Sequence, residues 1–140
     1  MPGPYIQVAT FCAHALQERD GTLSVIRAID TVTLSAPAQA APPELPEGGT
    51  LATTLVVALK PDDARGRHPL TIRPEAPSGA YLPAQTFDMT FAGEERGVNL
   101  VLNLSIQVVE GLYWFDVLVN EVLLTRIPLR IIYQRVPHPA

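Results

Sequence analysis

The segment from Val98 to Val108 alternates between apolar and mostly polar side chains, and this alternation constrains the fold more than any other feature. The even-numbered positions are apolar: Val98, Leu100, Leu102, Leu104, Ile106 and Val108. The odd-numbered positions are mostly polar: Asn99, Val101, Asn103, Ser105 and Gln107. Because side chains of a strand point alternately to opposite faces, the pattern predicts a strand with one buried and one wetter face. Strands of this kind are typical of antiparallel sheets.

Further segments of similar patterning are separated by turns rich in proline and glycine. The eight predicted strands are Tyr5–Ala13, Thr22–Leu34, Thr50–Lys60, Pro69–Arg73, Ala84–Phe91, Val98–Val108, Leu112–Val119 and Leu123–Tyr133. No long segment has helical spacing. The sequence therefore predicts an all-β fold, an antiparallel two-layer β-sandwich of immunoglobulin-like type with about eight strands, as a single domain over residues 1–134. Residues 135–140 are expected to form a frayed tail.

Four local features refine this prediction. Asp20-Gly21 predicts a tight turn, and the length of the second predicted strand indicates a bulge or bend near Ala28. Prolines bracket the segment Pro69–Arg73, which favours a position at a sheet edge. The proline-rich connection over residues 35–49 does not fit a central strand, and it is interpreted either as a solvated crossover or as a short docking segment.

The C-terminal hairpin, which turns at Asn120-Glu121, allows two registers. A simple two-residue loop places Phe115 opposite Arg126, which sets a charge against the core face. A one-residue bulge instead places Phe115 opposite Ile127, Tyr113 opposite Leu129 and Asp116 opposite Arg126. The bulged register pairs apolar with apolar side chains and joins opposite charges, so it is the predicted one. Pro128 must then lie where its missing N–H is not needed, at an edge or a bulge.

The same register leaves Trp114, Leu118 and Leu124 on the face opposite the core-facing side chains of this hairpin. Either a loop covers Trp114, with the proline-rich connection as one candidate, or these residues form an exposed apolar patch. An exposed patch on a soluble protein marks a partner surface, and tryptophan is frequent in interaction hot spots. Trp114, Leu118 and Leu124 are therefore the candidate interaction surface.

Composition argues against several function classes. Charged residues make up 17% of the chain, against roughly 25% in average domains, and this low fraction favours a chain with a partner surface. Lys60 is the only lysine and the arginines are scattered, so the basic stripe that nucleic acids require is missing. No apolar run has the length of a membrane span, and the N-terminal residues do not resemble a signal peptide. A cytoplasmic location is the expectation.

The chemistry-bearing residues form no recognisable catalytic or metal motif. His14, His68 and His138 lie far apart in sequence, and Asp62, Asp63, Glu94 and Glu95 are a weak calcium pattern next to arginines. Cys12 and His14 share a strand face, which would be needed for a thiol enzyme, although a buried structural cysteine is the ordinary interpretation. The sequence predicts no cofactor, no metal and no catalytic residue.

Three stretches carry a resemblance to a family. They are Gly97-Val98-Asn99-Leu100-Val101-Leu102-Asn103-Leu104, Gly111-Leu112-Tyr113-Trp114-Phe115-Asp116-Val117, and Arg126-Ile127-Pro128-Leu129-Arg130-Ile131. With Cys12, Asp20-Gly21-Thr22-Leu23-Ser24 and Ile29-Asp30, the chain resembles an uncharacterised family of small bacterial β-sandwich proteins with no known activity. The resemblance implies a glycine in the last turn, where this chain has Glu121, so a strained turn or another turn type is expected there. The proline-rich insert is longer than the family pattern.

Two functional hypotheses follow from these observations. The first is a non-enzymatic interaction module that binds a protein partner or itself, as a homo-oligomer or a subunit of a larger bacterial assembly, with edge strands available for strand addition. The alternative is a small-ligand or carbohydrate-binding sandwich that uses Trp114 or Tyr81 as a stacking platform.

Overall fold

A computed structural model describes residues 3–37, 48–93 and 95–136 and shows an all-β protein. Its nine strands are β1 Tyr5–Gln17, β2 Leu23–Ile29, β3 Thr31–Pro37, β4 Thr50–Lys60, β5 Gly66–Glu75, β6 Gln85–Phe91, β7 Val98–Gln107, β8 Gly111–Val119 and β9 Val122–Val136. Most of the proline-rich connection, residues 38–47, and most of the predicted tail, residues 137–140, lie outside the described residues. The first part of that connection, through Pro37, belongs to β3.

The strands form two sheets that share one hydrophobic core. The four-stranded sheet has the order β2-β1-β4-β7, and the five-stranded sheet has the order β3-β9-β8-β5-β6 and curls into a half-barrel. Phe11 on β1 meets Phe115 on β8 edge to face, with ring centroids 4.8 Å apart, so the core joins the two sheets. All strand pairs are antiparallel except β3 with β9, which are parallel, whereas the sequence predicted an antiparallel arrangement throughout.

The count of eight strands was wrong because the second predicted strand is two strands in different sheets. The chain leaves the four-stranded sheet after Ile29, passes Asp30, and joins the five-stranded sheet at Thr31. Arg27 has a φ of 57° just before this crossing, so the backbone bends close to the predicted position at Ala28. The predicted tight turn at Asp20-Gly21 is confirmed, and Gly21 has a φ of 88°.

The prolines of the five-stranded sheet each lie where one side of the strand has no partner. β5 is not the edge strand that Pro69 and Pro74 suggested, because it lies between β8 and β6. Pro69 nevertheless falls just before the β5–β8 pairing begins, and Pro74 falls after the β5–β6 pairing ends. Pro128 precedes the first β3–β9 pair, so its side away from β8 is locally an edge, as predicted.

The predicted register of the C-terminal hairpin is confirmed. Phe115 pairs with Ile127, Tyr113 with Leu129 and Asp116 with Arg126. The register shifts between Val117 and Leu118, and Leu124 is the additional residue on β9 that makes this shift. The bulge lets the rest of the hairpin place apolar side chains in the core and charged ones on the outside.

The turn of this hairpin contains two residues in the left-handed region. Asn120 and Glu121 have φ values of 51° and 65°, which together are typical of a type I′ turn. Asparagine tolerates this conformation, but a glutamate there carries the steric cost that glycine avoids. The resemblance to a family with glycine at this position led us to expect a strained turn or another turn type, and the positive φ of Glu121 fits a strained turn.

We expect the substitution Glu121→Gly to raise the free energy of unfolding by up to about 1 kcal/mol, because it removes the left-handed strain. Chemical denaturation of the two proteins measures this difference. Glu121→Ala is the matched control, since it removes the carboxylate but keeps a Cβ in the left-handed region. An equal gain in both variants would show that the side-chain charge, and not the backbone, sets the stability of the turn.

The far half of the β1–β2 hairpin folds back across the outer face of the four-stranded sheet. The side-chain Nδ2 of Asn99 on β7 donates to the backbone carbonyl of Gly21 at the hairpin tip over 3.2 Å. Val8 and Ala58, on the outer side of that sheet, line one shallow pocket together with Leu23 and Val25 of the hairpin. The hairpin therefore covers part of this face.

Candidate functional site

Six charged and aromatic side chains gather on the outer face of the five-stranded sheet. This arginine–aromatic cluster consists of Arg73, Glu75, Tyr81, Trp114, Asp116 and Arg126. Its charged members alternate with core residues along three neighbouring strands: Asp116, for example, lies between Phe115 and Val117, which both face the core. The pleat of the sheet therefore turns the cluster away from the core.

Asp116 holds the two arginines in place. Its Oδ2 accepts a hydrogen bond from Arg73 Nη2 over 2.8 Å, and its Oδ1 accepts one from Arg126 Nε over 2.7 Å. Arg126 Nη2 also donates to Glu75 Oε2, so three strands are joined by one ionic network. Asp116 is only 2% exposed, whereas both arginines are more than one third exposed. A buried carboxylate thus anchors two guanidinium groups that reach the surface.

An aromatic ring stands beside each arginine. The guanidinium carbon of Arg73 is 4.7 Å from the ring centroid of Tyr81, and that of Arg126 is 4.8 Å from the Trp114 ring. These distances are within the range of cation–π contacts. The result is a row of planar groups, from Tyr81 through the two arginines to Trp114, on the outer face of the five-stranded sheet.

A tight turn after β5 brings Tyr81 into this row. Gly79, with a φ of 91°, donates its N–H to the carbonyl of Ala76, and the chain then folds back so that Tyr81 bridges to Glu75. The Leu82 N–H closes the return by donating to the Pro74 carbonyl. Tyr81 is 58% exposed, so the turn presents its ring to solvent.

The two arginines keep Asp116 ionised. Burial raises the pKa of the Asp116 carboxyl, but the hydrogen bonds and positive charges of Arg126 and Arg73 lower it by more, so the pKa lies below its ordinary value. The hydrogen bond to Asp116 in turn raises the pKa of both Arg126 and Arg73. Asp116 and its two arginine partners are therefore all charged at neutral pH.

Of the three residues of the sequence-predicted surface, the structure places Trp114 and Leu118 on β8 and Leu124 against the core. Trp114 is half-buried, lies opposite Glu75 and Pro128 in the sheet, and is covered in part by Arg126. Leu118 is half-buried on the same strand. Leu124 does not join them, because it is the extra residue of the bulge and packs against the hydrophobic core. In the register, Leu123 occupies the place opposite Leu118, and it is exposed.

Sequence reasoning found the Asp116–Arg126 pair but not Arg73, Glu75 or the position of Tyr81 within the same site. The first pair belongs to one hairpin, whose register follows from its turn and its pattern. Arg73 reaches Asp116 through the β5–β8 pairing, which joins segments far apart in sequence. The alternation of Arg73 and Glu75 around Pro74 was the one available signal, since it puts two opposite charges on one strand face.

Cys12 and His14 do not form a reactive pair in the structure. Cys12 is fully buried, and this burial raises the pKa of its thiol, although a backbone hydrogen bond at His14 opposes the effect. The side chain of His14 is exposed. A thiol with a raised pKa is mostly protonated at neutral pH, so this arrangement does not activate a nucleophile.

The remaining candidate ligands are dispersed. His68 has both ring nitrogens occupied, by the Arg65 carbonyl and by the Asn120 side chain. Within residues 3–37, 48–93 and 95–136, no three His, Cys, Asp or Glu side chains converge as a metal site would require. Glu94 of the predicted calcium pattern and His138 lie outside the described residues. In the same described parts of the chain, no helix has the length and apolar character to cross a bilayer.

The chain matches a known protein family over most of its length. A family of unknown function, DUF6941, matches residues 7–132, from the first strand to near the end of the last. No curated protein matches the chain.

Proposed function

The chain belongs to DUF6941, a family of unknown function, and we propose that it is a non-enzymatic interaction module that binds a protein partner, as a subunit of a larger assembly. The binding surface in this proposal is the arginine–aromatic cluster on the outer face of the five-stranded sheet. The observation that carries it is the ordered row of Tyr81, two arginines and Trp114 around a buried carboxylate.

The composition of the cluster supports this proposal. Tryptophan, tyrosine and arginine are the residue types most enriched among interaction hot spots. Each supplies a large planar surface, and the arginines add donors for a partner's carbonyl or carboxylate groups. Because the core lies on the other face of the sheet, these side chains are not needed to fill it.

Preorganisation supports the proposal as well. A free arginine loses much side-chain freedom when a partner immobilises it, and this loss weakens binding. Here Asp116 and Glu75 already fix Arg126, and Asp116 fixes Arg73. A partner would therefore meet a surface whose long side chains are ordered before binding.

We also propose that the two sheets pack as a two-layer sandwich of immunoglobulin-like type and that the module works in the cytoplasm. The shared core and the contact of Phe11 with Phe115 between the sheets support the first part. The second part is supported by the single cysteine, which is free and buried, so that the fold depends on no disulfide.

Affinity capture from a lysate of the source organism tests the proposed surface. The bait is compared with the double variant Trp114→Ala/Tyr81→Ala, and the captured proteins are measured by quantitative mass spectrometry. We expect at least one protein to lose about tenfold or more in capture, since hot-spot truncations typically cost more than 1–2 kcal/mol. The same loss must then appear with that purified protein in calorimetric titration.

The matched control is Leu16→Ala/Ile26→Ala, which removes two exposed apolar side chains from the β1–β2 hairpin. It is expected to capture the same proteins as the unsubstituted chain. If capture never depends on Trp114 and Tyr81, the cluster is not a partner surface and the proposal is wrong.

The alternative is a small-ligand or carbohydrate-binding role, and the exposed ring of Tyr81 is the observation that favours it. An exposed aromatic face next to charged hydrogen-bonding groups is suited to stacking against a sugar ring. A glycan array read with the same double variant separates the two roles. Binding to a glycan that is lost in this variant would favour the alternative, and an array without hits would count against it.

A further inference from the structure

The four edge strands of the two sheets are not equally protected against pairing with another strand. A free edge offers unpaired N–H and C=O groups, and proteins block it with charged residues, prolines or irregular backbone. β2 contains Arg27 in a left-handed conformation, β3 ends with Pro37, and β6 carries the exposed Asp88. β7, with the sequence VNLVLNLSIQ, has no charged residue and no proline.

β7 is also long and regular. Its pairing with β4 runs from Thr50–Gln107 to Leu59–Val98 without a register shift, over ten residues. Among the described residues no strand pairs with its other side. A regular, uncharged edge of this length is a template for a further strand.

The core is less completely covered next to this edge. The core-facing residues Leu55, Val57 and Leu59 of β4 are at most 1% exposed. On β7 the corresponding side chains that pack against the core, Val98, Leu100, Leu102 and Leu104, are only half-buried. A neighbouring strand with apolar side chains on the same face would cover them.

We propose that β7 pairs with the β7 strand of a second copy of this chain, antiparallel about a two-fold axis near Asn103. This register places Leu102 opposite Leu104 and Leu100 opposite Ile106 on the core face. On the outer face it places Asn103 opposite Asn103 and Asn99 opposite Gln107. A shift by one residue would set polar against apolar side chains along the whole strand.

A second copy fits this edge because the alternation of β7 is complementary to itself. Both sides of the proposed pair are neutral, so no like charges meet, and each copy covers the half-buried leucines of the other. The two four-stranded sheets would join into one continuous sheet. An isologous contact of this type closes after two copies, so the product is a dimer and not a fibre.

Sedimentation velocity over a range of protein concentrations tests the pairing with the full chain and two double variants. Asn103→Lys/Ser105→Lys adds two charges to exposed positions of β7, and in the dimer two lysines at position 103 would face each other. Gln85→Lys/Thr90→Lys adds the same charge to exposed positions of β6 and is the matched control. Circular dichroism and thermal melts of each variant establish that it is folded.

We expect the unsubstituted chain and the β6 variant to form dimers with the same dissociation constant, and the β7 variant to dissociate at least tenfold more readily. A monomer at every concentration would overturn the proposal, as would a dimer that the β7 lysines leave unchanged. If the β7 variant does not fold, Asn103→Cys replaces it. A disulfide between two copies at position 103, absent in a Thr90→Cys control, then supports the pairing. The absence of a disulfide at position 103 would overturn the proposal.

This dimer is independent of the arginine–aromatic cluster, which lies on the other sheet. Trp114→Ala/Tyr81→Ala is therefore expected to leave the dimer intact. A chain that forms the dimer but whose partner capture does not depend on Trp114 and Tyr81 contradicts only the proposed function. A chain that captures a partner through these two residues but stays monomeric contradicts only the proposed dimer.

Discussion

Replacing Phe115 by alanine is expected to lower the free energy of unfolding by about 3–5 kcal/mol. Phe115 lies at the centre of the core, 3% exposed, and its ring contacts Phe11 across the two sheets and Tyr113 along its own strand. The substitution removes a large apolar surface and leaves a cavity that the flanking sheets fill only in part. Urea denaturation followed by circular dichroism gives the size of the loss.

The matched control is Tyr81→Ala, which removes an aromatic side chain of similar size from an exposed position. It is expected to cost less than about 1 kcal/mol, since a cation–π contact at a solvent-exposed site contributes at most that amount. Similar losses for the two variants would mean that Phe115 is not a core residue and that the two sheets do not share a core.

Replacing Asp116 by asparagine is expected to be the second most damaging change, with a loss of about 2–3 kcal/mol. The variant keeps the shape of the side chain but removes its negative charge. It also replaces one of the two carboxylate oxygens that accept hydrogen bonds from Arg73 and Arg126 with an NH₂ group. The exposed fraction of both arginines limits the loss, because water solvates part of each freed guanidinium. Glu75→Gln is the control, and its effect is expected to stay below about 1 kcal/mol because Glu75 forms a single ion pair among the described residues, with the partly exposed Arg126.

The effect of Asp116 should depend on pH in a defined direction. Its pKa is lowered in the folded protein, so the unfolded chain binds the proton more tightly and acid favours unfolding. The stabilisation is complete above the unfolded pKa of about 3.9 and is lost as the pH falls through the lower folded value. The stability difference between the unsubstituted chain and Asp116→Asn should therefore stay constant above about pH 5 and shrink as the pH falls from there towards about pH 2. A difference that stays constant would show that the charge of Asp116 is not stabilising.

Local patterns in the sequence were sufficient to predict the C-terminal hairpin in detail. The alternation around Phe115 and Ile127 left only one register that buries apolar side chains and pairs Asp116 with Arg126, and the structure confirms it. The bulge that this register requires was predicted as well. Its location at Leu124 was not, because any extra residue on that strand restores the register, and this choice decides whether Leu124 faces the core.

Non-local pairings account for most of what the sequence did not predict. The prolines of β5 indicated an edge strand. A proline, however, requires only that no neighbouring strand pairs with one side of the backbone at its own position, and the rest of the strand can be paired on both sides. The sequence does contain a signal at the crossing near Asp30. The alternating apolar residues stand at odd-numbered positions up to Ile29 and at even-numbered positions from Val32, which changes their parity. A strand without a bulge would keep that parity, so the change indicates either the bulge predicted near Ala28 or a crossing between sheets, and the local pattern does not separate the two.

The parallel pairing of β3 with β9 has a consequence for how the protein is made. β3 leaves the ribosome early, but its hydrogen-bonding partner is translated after all the other strands described here. During synthesis, the backbone groups of β3 must stay solvated or be shielded by a chaperone. The five-stranded sheet can therefore close only after translation of β9, and the long chain loop between the two strands makes this closure a slow step. Premature termination before β9 would leave β3 without its partner, in a product suited to recognition by cellular quality control.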